Sequence, residues 1–181
     1  MHPVELARLL QNLIRLGTVA EIDHAAARVR VNTGELLTDW LPWCETRAGQ
    51  TRTWNPPTQG EQVLLLAPGG ELAGAVVLGA INSNAHPAPS SNPNLTRWNM
   101  PDGAVIEYDH AASHLRAALP GSAAITAPAG VAVTGPVTIT GTLHVSEAIT
   151  TPADVTASGI SLVNHKTTGV KSGSDTSGPP Q

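Results

Sequence analysis

Few residues in this 181-residue chain could do chemistry, and they are scattered. The single cysteine, Cys44, has no evident base partner and reads as a small buried apolar side chain rather than a nucleophile. One thiol also excludes an internal disulfide framework. Glu35 and Asp39 lie four apart beside Trp40, a spacing that would pair two carboxylates on a helix, but the surrounding pattern is that of strands. There is no Gly-x-Ser-x-Gly elbow and no His-Glu-x-x-His pair. No catalytic residue is therefore expected, no small-molecule substrate, and no enzyme. Ten basic residues against fourteen acidic give a net charge of −4. Arg28, Arg30, Arg47 and Arg52 are dispersed rather than striped, so nucleic acid is not an expected partner.

The elements that carry these residues differ between the two ends of the chain. Leu6, Leu9, Leu10 and Leu13 form one apolar stripe and predict a helix over 3–16, ended by Gly17. From Thr18 the pattern changes to short strands, TVAEID, ARVRVN, LLTDWLPW, EQVLLLA and AGAVVLGAI, separated by Asn-, Pro- and Gly-rich turns. Five strands in so short a span suit a small closed barrel of the OB type. Val63–Ala67 does not alternate, as expected of a strand buried on both faces. Residues 82–94 read as a loop, and 103–119 as a hairpin. The N-terminal segment has charges among its leucines and no small-residue cleavage site, so no signal peptide is expected. No apolar run approaches the ~18 residues of a membrane span.

Beyond residue 110 there is no tryptophan or tyrosine, and the only charges are Arg116, Glu147, Asp154, Lys166, Lys171 and Asp175. Strand side chains alternate between faces. Of the nineteen odd-numbered positions from Ala123 to Gly159, fourteen are aliphatic and three are glycine, leaving only Glu147 and Thr151. The even positions carry Thr, Ser, Pro, His144 and Asp154, with nothing aliphatic larger than alanine. One parity held this long exceeds a normal strand of about five or six residues. A single-chain β-helix needs several coils of about twenty residues each, more than this segment supplies. Three copies wound about one axis bury the odd face and leave no free edge. Glu147 is the misfit, best turned outward by a bulge. The row Thr138, Thr140, Thr142 reads as a solvated strand face rather than an ice-binding surface.

Four stretches, "TDWLPW" (38–43), "TRTWNPPTQGEQVLLLAPGGEL" (51–72), "VVLGAI" (76–81) and "PDGAVIEY" (101–108), resemble the central tail-spike proteins of contractile phage tails. These are also called baseplate assembly protein V, and have relatives in R-type pyocins. The resemblance implies an all-β homotrimer with a short N-terminal helix (1–17) and an OB-fold barrel (18–95). A connecting hairpin (96–122), an intertwined triple-stranded β-helix (123–163) and an apex with C-terminal tail (164–181) would follow. It further implies assembly in the bacterial cytoplasm onto a baseplate hub protein at the end of the tail tube. Sheath contraction would then drive the spike through the outer membrane of a target bacterium into the periplasm.

Many such spikes carry His-x-His at the apex, six imidazoles from three chains holding one iron ion. Here His165 matches the first histidine and Thr167 stands at the second, so the resemblance leaves His165 as the one candidate metal ligand. Three His165 rings, with water or the Thr167 hydroxyl, could still hold an ion; otherwise the ring packs or faces solvent. Residues 172–181 are expected to lie back over the tip. Two other readings are a trimeric adhesin stalk, whose repeats would continue further, and an OB-fold ligand-binding module.

Overall fold

The computed structural model describes residues 2–166 and residue 173, and the chain divides into two compact units, Met1–Ile125 and Thr126–Gln181. Thr167 and the rest of the tail, apart from residue 173, lie outside the described residues.

Helix α1 (Pro3–Asn12) starts where its sequence dictates. His2 caps it, its Nδ1 accepting the Val4 amide at 3.4 Å, and Pro3 occupies the first turn, where its missing N–H costs nothing. The helix ends four residues before the expected stop, and strand β1 (Ile14–Asp23) begins almost at once. Gly17 is therefore not a helix terminator. It lies within β1 because a Cβ there would collide with Val31 Cγ1 and come within 2.7 Å of Asn32 O. Arg15 fixes the junction, its guanidinium donating to Asn12 Oδ1 (2.9 Å), Thr33 Oγ1 (3.0 Å) and Thr33 O (3.2 Å).

Strand β1 is long enough to pair on both sides. It runs antiparallel to β2 (Arg28–Thr33) at its far end and to β4 (Gln62–Leu66) at its near end, with a bulge between Val19 and Glu21. With β3 (Leu36–Leu37) and β5 (Val76–Ile81) the sheet order is β3-β2-β1-β4-β5. Single bridges, Val29 to Leu41 and Trp43 to Val77, carry the chain across from the β2 side to β5. The third expected strand thus shrinks to two residues followed by bridges. A strand rich in tryptophan and proline cannot keep a ladder, since proline supplies no N–H.

The core is Val19, Val29, Val31, Leu41, Val63, Leu65, Ala67, Ala75 and Val77. Each buried valine or leucine is worth about 1.5–3 kcal/mol. The two buried threonines are satisfied: Thr38 Oγ1 accepts the Val31 amide at 2.9 Å and the Thr33 hydroxyl donates to Leu16 O at 2.8 Å. Strand β4 corrects the expectation of burial on both faces. Val63, Leu65 and Ala67 point inward, whereas Leu64 is half-buried and Leu66 exposed.

The loop at 82–94 leads to a second sheet of three antiparallel strands, β6 (Leu95–Asn99), β7 (Val105–Asp109) and β8 (His114–Ala118). The β7–β8 hairpin was legible, but β6 was not. One face carries Glu107 between Arg97 and Arg116, 3.1 Å from each across the ladder. The opposite face presents Trp98 against Ile106 and Tyr108 against Leu115.

In the second unit, residues 126–155 form no strand ladder within the chain. A hairpin follows, β9 (Thr156–Ala157) and β10 (Ile160–Ser161), joined by Ser158 and Gly159 at φ 50° and 81°. Two consecutive positive φ values are the signature of a type I′ turn.

Candidate functional site

No side-chain constellation in the described residues resembles a catalytic centre. No group of three or more His, Cys, Asp or Glu side chains there could hold a metal ion within one chain. Asp39 Oδ1 accepts the Trp40 amide at 2.8 Å, a local turn contact, and no hydrogen bond links it to Glu35. Cys44 is exposed, contrary to the expectation of burial, because its amide bonds Val77 O (2.8 Å) at the barrel rim and leaves the thiol outside.

The best-built surface loop surrounds Glu45. Its Oε1 accepts from Asn55 N (2.7 Å) and Trp43 Nε1 (3.0 Å), and its Oε2 from the Thr53 hydroxyl (2.8 Å). These donors, the Asn55 amide foremost, hold the carboxyl below its ordinary value. They also keep Trp43 and Trp54 together, ring centres 5.5 Å apart. A lowered folded-state pKa gives stabilisation that is present above the unfolded value of 4.5 and lost as pH falls through the folded one. Tryptophan emission should therefore hold steady at neutral pH and shift red only below about 4.5. Glu45→Gln should show the shifted emission already at pH 7; identical emission in the two proteins across the titration would contradict the role given to this carboxylate.

The segment 123–163, for which the resemblance implies a β-helix needle, presents the second feature. Every large aliphatic side chain on its odd face, Ile125, Val131, Val133, Val137, Ile139, Leu143, Val145, Ile149 and Val155, is between 42% and 81% exposed in the single chain. The backbone also bends at Gly135, Gly141, Ser146–Glu147 and Pro152–Ala153, close to every six residues. Gly135 and Gly141 take φ values of 122° and 134°, open to glycine and costly for any side chain. Glu147, the acidic odd position, falls on one of these bends. The six-residue spacing is visible in the sequence as glycines at 135 and 141, a signal that alternation alone does not carry.

At the apex the chain folds back on itself. The two-residue turn sets Ala157 opposite Ile160, and the Leu162 amide bonds Val155 O at 2.9 Å. The apolar row therefore passes from odd to even numbers without changing face. Asp154 Oδ1 accepts the Val163 amide at 3.1 Å, and Ser161 Oγ accepts the Asn164 amide at 2.7 Å. The Ser161 hydroxyl first, then the Val163 amide, hold the Asp154 carboxyl below its ordinary value. The exposed His165 ring sets Nδ1 at 3.1 Å from both Ser161 O and Leu162 O. Carbonyls only accept, so Nδ1 carries a proton, and in the neutral ring the lone pair falls on Nε2.

Residues 15–81 match the Type VI secretion system/phage-baseplate injector OB domain, and residues 159–181 match the GpV apex motif. The "Spike protein" of Escherichia phage P2 is 49% identical over 133 residues, which is 74% of this chain and 63% of that protein. The matched part thus spans somewhat less than two thirds of the relative's length. An injector OB domain followed by an apex motif, together with this identity, makes the chain similar to the central spikes of phage baseplates and supports that family for it.

Proposed function

We propose that the chain acts as a homotrimer, a mechanical central spike at the tip of a contractile tail. A baseplate hub would hold it, and contraction would drive it through the outer membrane of a target bacterium. One observation carries this reading: a continuous aliphatic face that a single chain leaves in water, on a backbone that bends about every six residues. Three chains wound about an axis would use each bend as a corner and turn each aliphatic row inward. The valine, alanine and glycine side chains suit a thin prism, and the threonine face supplies a wettable exterior. The exposed side of the β6–β7–β8 sheet, where Trp98 is 63% and Leu115 67% exposed, would be covered by the same assembly. A patch this apolar on a free protein is otherwise a binding surface waiting for a partner.

The spike would do no bond chemistry, the work coming from the tail, and would be built into the virion in the bacterial cytoplasm. At its tip the residues fit a metal ion. A neutral His165 ring with its proton on Nδ1 would offer the Nε2 lone pair, and three copies would bring three such donors to the axis; Thr167 lies outside the described residues. Bound there, a divalent ion would cross-link the three chains as a structural centre.

Immunogold labelling tests the location. Antibody raised against residues 126–155 should mark the distal end of contractile tails opened by mild denaturation. Label on the fibres or sheath, or none on the particles, would overturn the placement.

A further inference from the structure

We infer that Asp154 is the positioning residue of the apex: by holding the Val163 amide it sets the turn whose carbonyls fix the proton of His165 on Nδ1 and present Nε2 to a ligand. The contacts form one chain of cause. The Ser158–Gly159 turn brings β10 back beside β9, and the Leu162 amide closes on Val155 O at 2.9 Å. Val163 must then leave the ladder, and its amide would be without a partner if Asp154 did not accept it at 3.1 Å. That bond rotates the next peptides so that Asn164 N meets Ser161 Oγ (2.7 Å) and His165 N meets Ser161 O (3.1 Å), a single helical-type turn. Only in that turn do Ser161 O and Leu162 O converge on one ring nitrogen, each at 3.1 Å.

Two acceptors on Nδ1 select the tautomer that free histidine disfavours, and they hold the ring with Nε2 outward. Outer groups of this kind, bonded to the far nitrogen, commonly orient an imidazole donor and raise its basicity. Asp154 does so at one remove, through the backbone, and touches neither the ring nor any ion. It stands eleven residues before His165, on the polar face of the needle, where alternation alone marks it as merely solvated.

The inference rests on the proposed spike only for the ion; the ring geometry belongs to one chain. The test uses full-length protein labelled with 15N-histidine at pH 8, where an ordinary imidazole is neutral. His165, assigned by its loss in His165→Gln, should give a protonated Nδ1 and an unprotonated Nε2. Asp154→Ala should raise the Nε2–H form several-fold and speed exchange of the Val163 amide about tenfold or more. Zinc(II), used as a diamagnetic probe, should bind about 10–100-fold more weakly. Mass and melting temperature should not change. Asp154→Asn keeps an acceptor oxygen and should restore the Nδ1–H form. It also decides the matter if the alanine variant disorders the tip altogether. A wild-type ring protonated on Nε2 would overturn the inference, as would an unchanged tautomer in Asp154→Ala. So would a scrambled tautomer in Asp154→Asn with the Val163 amide still protected. The two proposals fail separately: a monomer with Nδ1–H sinks the spike trimer alone, and a trimer with Nε2–H sinks this inference alone.

Discussion

Val137→Asp is expected to abolish the trimer at micromolar concentration, whereas Thr138→Asp, one residue along, should leave it intact. In the proposed assembly Val137 of each chain faces the axis, so one substitution sets three carboxylates at a single level with no counter-charge. Each unpaired buried ion costs several kcal/mol, and like charges at close range add to it. The sum is on the order of 10 kcal/mol, as large as the whole folding stability of a typical domain. The barrel should survive, because its core of Val19, Val29, Val31, Leu41, Val63, Leu65 and Val77 uses no residue of the needle. Light scattering and circular dichroism on the pair of variants would check this. Equal masses for the two would show that odd and even positions are alike, and the needle reading would fail.

Gly70→Ala is the second large effect, and it acts in the first unit. Gly70 is buried at φ 77°, and a Cβ there would lie 2.6 Å from Leu9 Cα and closer still to the Leu9 carbonyl oxygen. A side chain held at positive φ costs about 1–3 kcal/mol, and overpacking adds about 1–3 more. The obstacle is backbone, so no rotamer change relieves it; α1 must move. Arg8, which bridges Glu5 at 2.8 Å and Glu71 at 3.1 Å, would lose the second partner as the helix lifts. The expected loss is about 2–6 kcal/mol, with new proteolytic cutting between 3 and 13 under conditions that spare the parent protein. A melting temperature equal to the parent's would mean that the helix is not seated on Gly70.

Much of the architecture was legible in the sequence because it rests on local rules. Leucine spacing marked α1, short apolar runs between turn residues marked β1, β2, β4 and β5, and a constant parity marked the aliphatic row beyond residue 123. The failures have physical causes. Gly17 looked like a helix stop, but it is a close-approach glycine inside β1, a distinction set by Val31 and Asn32, far away in sequence. The run Val63–Ala67 looked doubly buried because hydrophobicity cannot tell an inward leucine from an outward one; Leu66 faces out, beside Ile14 of β1. Strand β6 was hidden in LTRWN, where Arg97 is drawn into the sheet by Glu107 on a neighbouring strand. The residue type of Cys44 points to burial, whereas its backbone bond to Val77 O leaves the thiol exposed.

The candidate site divided the same way. His165 was marked by resemblance, whereas Asp154 was not, since a carboxylate that holds a backbone amide leaves no periodic trace. The Ser158–Gly159 pair was the available signal: flanked by alternating residues, it is a two-residue hairpin connection, and it forces the apolar row to change parity. Glu45 likewise gave no motif, and its role emerged only with its three donors in place.

The most direct test of the central claim is the solution mass of the intact protein by light scattering. Three chains of 18.7 kDa give about 56 kDa. A mass near that value is the expected result, and it would give the aliphatic row from Ala123 to Ala157 its partners. A particle near 18.7 kDa at micromolar concentration would leave that row in water and contradict the spike.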